Sequence, residues 1–211
     1  RAGPVVSKPD APQSEIRGAH VGIPRVHPDY FRVVVINAVL GGLFSSRINL
    51  NLRERNAYTY GARSEFDWRR AAGPFVVSTA VASDVTAAAT REILGEIDRM
   101  RSEPIAEDEL TLATSFLSGV FPIRYETTAA VATALANLVV YGLDDSYFDT
   151  YRANIQSVTT TDVLEAAQRH LRPERLRVVV VGDPAQVAQP LGALDVGEVS
   201  IYDPEGSPLG A

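Results

Sequence analysis

Residues 58–82 hold the feature that most constrains the fold: two strand-like runs joined by a short turn containing glycine and proline. In YTYGARSEFDWRR, Tyr58, Tyr60, Ala62, Ser64, Phe66 and Trp68 fall on one parity. Thr59, Gly61, Arg63, Glu65, Asp67 and Arg69 fall on the other. Successive side chains of a strand point to opposite faces, so this run reads as a strand with one packed side and one wet side. The turn RRAAGPF leads into FVVSTAVA, and the two runs make an antiparallel hairpin. Such a hairpin needs a second layer over its apolar face, and the rest of the chain supplies helices.

Ahead of the hairpin, residues 14–24 (SEIRGAHVGIP) alternate, with Ile16, Gly18, His20 and Gly22 on one side, and read as a strand. HPDYFRVVVINAVLGG reads as a helix with Pro28 in its first turn and Gly41 and Gly42 ending it. A second helix over about 45–56 is expected to bury Phe44, Ile48 and Leu52 as one stripe. After the hairpin the chain is mainly helical. SDVTAAATREILGEIDRMRSE aligns Ala89, Ile93, Ile97 and Met100, and AEDELTLATSFLSGVFP is expected to stop at Pro122. A third segment closes at Gly142, DSYFDTYRANIQSV is another helix, and Thr159 with Asp162 has capping-box spacing before the last clear one. LRVVVVGD then reads as a mid-sheet strand and EVSIYD as a short closing one. The fold class is α+β: a mainly antiparallel sheet with helices packed on one face. Residues 14–203 read as one domain, residues 1–13 as a Pro-, Ser- and Asp-bearing linker, and residues 204–211 as a loose tail. An opening at Arg1, with Met100 the sole methionine, reads as a piece of something longer.

Composition narrows the function. The 211 residues are 45% hydrophobic and 22% charged, ordinary for a soluble domain with a sizeable core. A net charge of −6 disfavours non-specific binding to nucleic acid or an anionic membrane. VVVINAVLGGLF is too short to span a bilayer. Absence of cysteine removes disulfides and thiolate metal sites without fixing the compartment, for which the cytoplasm is favoured. His20, His27 and His170 form neither H-E-x-x-H nor H-x-x-E-H, so no zinc site is visible in this chain. There is no G-x-S-x-G, and GGLFSS lacks the lysine of a phosphate loop.

Arg53 and Tyr60 remain. Arg53 reads as a solvated cation in a last helical turn, and Tyr60, sharing parity with Phe66 and Trp68, as a core aromatic. The other reading has both converge where the helix turns back into the sheet, donating to one carbonyl oxygen or oxyanion.

The stretch VVINAVLGGLFSSRINLNLRERNAYTYGARS resembles the second-domain signature of pitrilysin/insulinase-type zinc peptidases, the inverzincins: L-G-G-x-x-S-S-R-L, then L-R-E, then x-Y-x-x-x-S. PIAEDEL and the run from YGLDDSYFDTYRANIQSV to LRVVVVGD are similar to the close of that family, so the likeness covers about residues 15–183. The resemblance implies a half-repeat of a clamshell metallopeptidase, closing on an unfolded peptide substrate. It implies no cofactor in this chain, with zinc in a partner: the N-terminal domain of the same parent chain, or the zinc-bearing half of a homo- or heterodimer. By the same resemblance Arg53 and Tyr60 hold the scissile carbonyl, with Tyr58, which could fill the tyrosine role, Ser46 and Arg47 in substrate binding. The chain alone would be inactive. The alternative is a catalytically dead scaffold or assembly subunit of the same fold.

Overall fold

The computed structural model describes residues 2–194 and 196–209. Among them, six strands make one sheet: β1 (Ala2–Ser7), β2 (Gln13–Val21), β3 (Ala62–Phe66), β4 (Pro74–Ala82), β5 (Arg177–Gly182) and β6 (Glu198–Tyr202). Their order is β3-β4-β2-β5-β1-β6. The β3–β4, β2–β4 and β2–β5 pairs are antiparallel, whereas β1 lies parallel to both β5 and β6. The sheet is therefore mixed, with antiparallel pairing in its first four strands. The hairpin read from residues 58–82 is β3 and β4, in register from Ala62–Thr79 to Phe66–Phe75.

Two readings of the chain ends change. The segment read as linker contains β1, whose Val5 is fully buried. Only Val5 and Val6 announce it, flanked by proline, serine and aspartate that weigh towards a loop. The segment read as a tail folds back: the Leu209 N–H donates to the Ile201 carbonyl at 2.8 Å, and Pro208 pairs with Tyr202. Arg1, Gly210 and Ala211, which belong to those two calls, lie outside the described residues.

Helices cover one face. β2 alternates between buried and exposed positions from Gln13 to Val21, the signature of a sheet packed on one side. Over the buried side lie α1 (Tyr30–Asn37), α2 (Arg47–Asn49), α3 (Thr86–Ser102), α4 (Glu107–Ile123), α6 (Tyr147–Gln156), α7 (Thr160–His170) and α8 (Pro184–Gly192), while α5 (Thr128–Tyr141) buries Ala134 alone. Ile93, Ile97 and Met100 of α3 meet the core as their spacing requires. Pro122 sits inside the last turn of α4, one residue before its end. Gly142 caps α5 in the left-handed conformation at φ 62°. Thr159 and Asp162 form the expected capping box, at 3.1 Å and 3.0 Å.

The apolar run 30–55 is not one membrane-length rod. α1 passes into a wider π-helical segment, Ala38–Gly42, and the chain turns at 43–46. It then re-enters helix as α2, which widens again over Leu50–Arg55. Val35, Ile36, Leu40, Ile48 and Leu52 are all fully buried in the core. Phe44, expected in that stripe, is 65% exposed because it lies in the turn rather than in the helix.

Candidate functional site

The turn at 43–46 and the loop at 57–61 sit beside each other, and hydrogen bonds fix both. Buried Asn49 donates to the Phe44 carbonyl at 2.6 Å and accepts the Ala62 N–H at 3.0 Å, joining the turn to the start of β3. The Tyr58 N–H donates to the Leu52 carbonyl at 2.8 Å, and Ala57 takes a positive φ of 54° to make the corner. Thr59 Oγ1 donates to the Gly61 carbonyl at 2.9 Å and accepts the Gly61 N–H at 3.1 Å. Thr79 Oγ1 reaches the same carbonyl from β4 at 3.1 Å. The loop is a small, well-bonded turn, of the kind that presents a side chain rather than burying it.

Tyr60 is that side chain, 92% exposed. Its parity matches Phe66, yet β3 pairing begins only at Ala62, so the pleat that would carry Tyr60 into the core has not started. The core reading of Tyr60 is therefore overturned. Tyr58 is the tyrosine packed partly against the core.

Arg53 and Tyr60 line one groove of about 540 Å³. The Arg53 guanidinium carbon lies 4.6 Å from the centre of the Phe44 ring, and its Nε is 3.4 Å from the Glu54 carboxylate. Exposed Phe44 is thus a platform that orients the arginine while leaving its donors accessible. The groove also takes in Arg17, Arg63 and Ser78, cross-strand neighbours on β2, β3 and β4 whose arginines lie on the sheet's solvent-facing side. An arginine fork, a phenol and two further cations face this space, and Glu15 is the carboxylate lining it, 3.2 Å from Arg17. Chemically, the arrangement suits hydrogen-bond donation to carbonyl or anionic oxygen.

Ser46 and Arg47 are placed elsewhere. Ser46 is buried, and its carbonyl accepts the Leu50 N–H at 2.8 Å. Arg47 makes two 2.7 Å hydrogen bonds to the two oxygens of Glu109, tying α2 to α4. The same carboxylate accepts the Ala106 N–H at 3.0 Å, closing the first turn of α4. The Arg47 hydrogen bonds hold the Glu109 carboxyl below its usual range against the opposing effect of burial.

One histidine–carboxylate cluster was not legible by spacing, because its members are up to 143 positions apart: His27, Asp29 and His170, with candidate ligand atoms within 4.8 Å of one another. His170 Nε2 lies 2.7 Å from Asp29, and His27 Nδ1 accepts the Asp29 N–H at 3.0 Å. Asp29 also pairs with Arg32 at 2.8 Å and Arg169 at 3.2 Å. Two guanidinium charges on one carboxylate oppose a divalent cation, so these residues do not fit a zinc site. They anchor the start of α1 to the end of α7. Burial lowers the affinity of His170 for a proton, with Asp29 opposing that effect.

Comparison with known proteins identifies the family and the fold. A family described as the peptidase M16 inactive domain matches residues 2–117. The structure resembles the peptidase M16 inactive domain from Pseudomonas fluorescens with a TM-score of 0.81 and 25% identity, over 86% of this chain and 43% of that one. The chain thus spans less than half the length of that relative. It also resembles the inactive peptidase domain of a candidate zinc protease from Bordetella parapertussis (TM-score 0.68, 16% identity, 81% of this chain and 92% of that one). A third likeness is to a chain of complex III2 from Candida albicans (TM-score 0.73, 16% identity, 85% and 45%). The last two likenesses show the fold alone. A search of curated proteins finds no match. The match over residues 2–117, more than half the chain, shows that this protein belongs to the peptidase M16 inactive-domain family.

Proposed function

We propose that this domain is the substrate-binding, non-zinc part of a zinc-dependent peptidase acting on unfolded peptides. The observation that carries the reading is that Tyr60, exposed on a hydrogen-bonded loop, and Arg53, held over the Phe44 ring, line one groove. A solvent-exposed tyrosine on a rigid turn contributes nothing to the core, so a role outside the fold is the simplest account of it. In this reading the scissile carbonyl oxygen enters the groove and accepts hydrogen bonds from the Arg53 guanidinium and the Tyr60 hydroxyl. Both donors strengthen as negative charge collects on that oxygen during attack on the carbonyl carbon. Arg17 and Arg63 hold further backbone carbonyls of an extended substrate along the open face of the sheet. Tyr58 supports the turn from its packed side. Zinc belongs to the partner half, an N-terminal domain of the parent chain or a second subunit, since the histidines here do not fit it.

A second reading, a non-catalytic assembly subunit, draws on the likeness to the complex III2 chain. Zinc content and peptide hydrolysis of the parent protein, alone and mixed with a zinc-bearing homologue, separate the two. Hydrolysis in either preparation is the expected result. Absence of both zinc and cleavage throughout would overturn the peptidase reading in favour of the scaffold.

A further inference from the structure

A second cavity, of about 440 Å³, lies beneath α5 and is walled by the end of α4, the start of α1 and α6. Two arginines, Arg25 and Arg124, face it, and no aspartate or glutamate lines it among the described residues. Arg25 is the unusual one, only 8% exposed. Its guanidinium carbon lies 3.7 Å from the centre of the Tyr30 ring and 4.8 Å from that of Tyr147. Among the described residues, its side chain has no hydrogen bond and no ion pair. Stacking satisfies the flat faces of a guanidinium but leaves its five N–H donors, which lie in the plane of the group, to meet other partners. None of its nitrogens is sealed from solvent, so these donors face the cavity and can meet an acceptor there.

The wall also carries Thr133, Asn137 and five tyrosines, each with an O–H or N–H to donate, although the Tyr141 hydroxyl already donates to the Trp68 carbonyl at 3.0 Å. Tyr125 and Tyr151 bring phenols to the wall beside Tyr147. Burial pushes the Tyr151 phenol up to about 12 and Tyr147 higher still, so both keep their proton across the physiological range. Access is open, because Arg124, Ala129, Thr133 and Asn137 on the cavity wall are exposed and Ala134 is the one buried residue of α5. In a chain of net charge −6, a concave site lined by two arginines and five tyrosines, with no carboxylate among the described residues, is a selective place for an anion.

We propose that this cavity binds a small organic anion, an oxyanion (carboxylate or phosphate) carried on an apolar body. The oxyanion meets the Arg25 fork, Arg124 closes over it from the rim, and the apolar body lies against Phe148 and the inner side of α5. This site is separate from the Arg53–Tyr60 groove and does not depend on the peptidase reading.

Isothermal titration of the full-length protein tests it with three probes: 3-phenylpropionate, phenyl phosphate and the neutral 3-phenylpropionamide. The expected result is that at least one acid binds and the amide binds at least about tenfold more weakly, the discrimination that a charged hydrogen bond gives. The tighter of the two acids identifies the headgroup as carboxylate or phosphate. Arg25→Met, which keeps an unbranched stem between the rings, should weaken the acid by about tenfold or more. Arg124→Gln, at the exposed rim, should weaken it several-fold and serves as the check if Arg25→Met does not fold. Binding of neither acid, equal binding of acid and amide, or unchanged affinity in the folded variants would overturn the proposal.

Discussion

At the scale of single residues, Gly41 decides how closely the helical layer approaches the sheet. A Cβ at this position would collide with the backbone nitrogen of Ser64 and with its Oγ. Ser64 cannot retreat, because it belongs to β3 and its Oγ donates to Asn37 at 2.9 Å. Gly41→Ala is therefore expected to destabilise the fold by about 1–3 kcal/mol, the usual cost of overpacking a tight contact. Urea denaturation followed by circular dichroism measures it, and an unchanged midpoint would show that the π-helical segment yields freely. A Cβ on neighbouring Gly42 would lie 2.8 Å from Asn37 Nδ2 and 2.9 Å from the Asn37 carbonyl oxygen, so the pair that the sequence marks as a helix stop is also a point of close approach. Asn49 acts in the opposite sense, filling the space between turn and strand with two hydrogen bonds. These contacts hold the backbone from which Arg53 and Tyr60 project.

Among elements, the tie between α2 and α4 carries a pH dependence. Hydrogen bonds from Arg47 lower the Glu109 carboxyl in the folded state, whereas the unfolded chain leaves it near about 4.3. The unfolded state therefore binds more protons between the two values, and the stabilisation is present above the unfolded value. It is lost as pH falls through the folded one. Glu109→Gln removes this group from the acid limb. The variant should be less stable than the parent at pH 7, and the gap should shrink as the pH falls below about 4. Thermal melts across that range decide it: a gap of constant size would show that the carboxylate charge of Glu109 contributes nothing. Elements with long periodic signals were legible in the sequence. α3 and α7 announced themselves by helical spacing and capping, and the β3–β4 hairpin by alternation. β1 was hidden because two valines among polar and proline residues carry too little pattern, and its partners β5 and β6 lie 175 and 196 positions away (Ala2 to Arg177 and to Glu198). α8 received no reading from the sequence: it is short and carries Pro184 and Pro190, of which the first suits an initial helical turn capped by Asp183. Tyr60 was readable as a candidate and unreadable as an exposed one, since alternation cannot show at which residue pairing begins. The His27–Asp29–His170 anchor left no local signal at all.

Over the whole molecule, the helical layer closes one face of a mixed six-stranded sheet and leaves the other open on β2, β3 and β4. The open face carries Arg17 and Arg63, and the turn that begins β3 sets Tyr60 and Arg53 at its end. A peptide lying along that face would bring a carbonyl to the pair while a partner half approaches from the side opposite the helices. The central claim is that this pair stabilises developing negative charge, and kcat/KM for an unfolded peptide in the parent protein tests it most directly. Arg53→Ala and Tyr60→Phe should each lower kcat/KM by about 10²-fold or more, the usual cost of one oxyanion donor. Both positions are at least partly exposed and outside the core, so stability should stay within about 0.5 kcal/mol of the parent. Catalysis at the parent's level in both variants, with folding equally intact, would contradict the account and return Arg53 and Tyr60 to the ordinary surface.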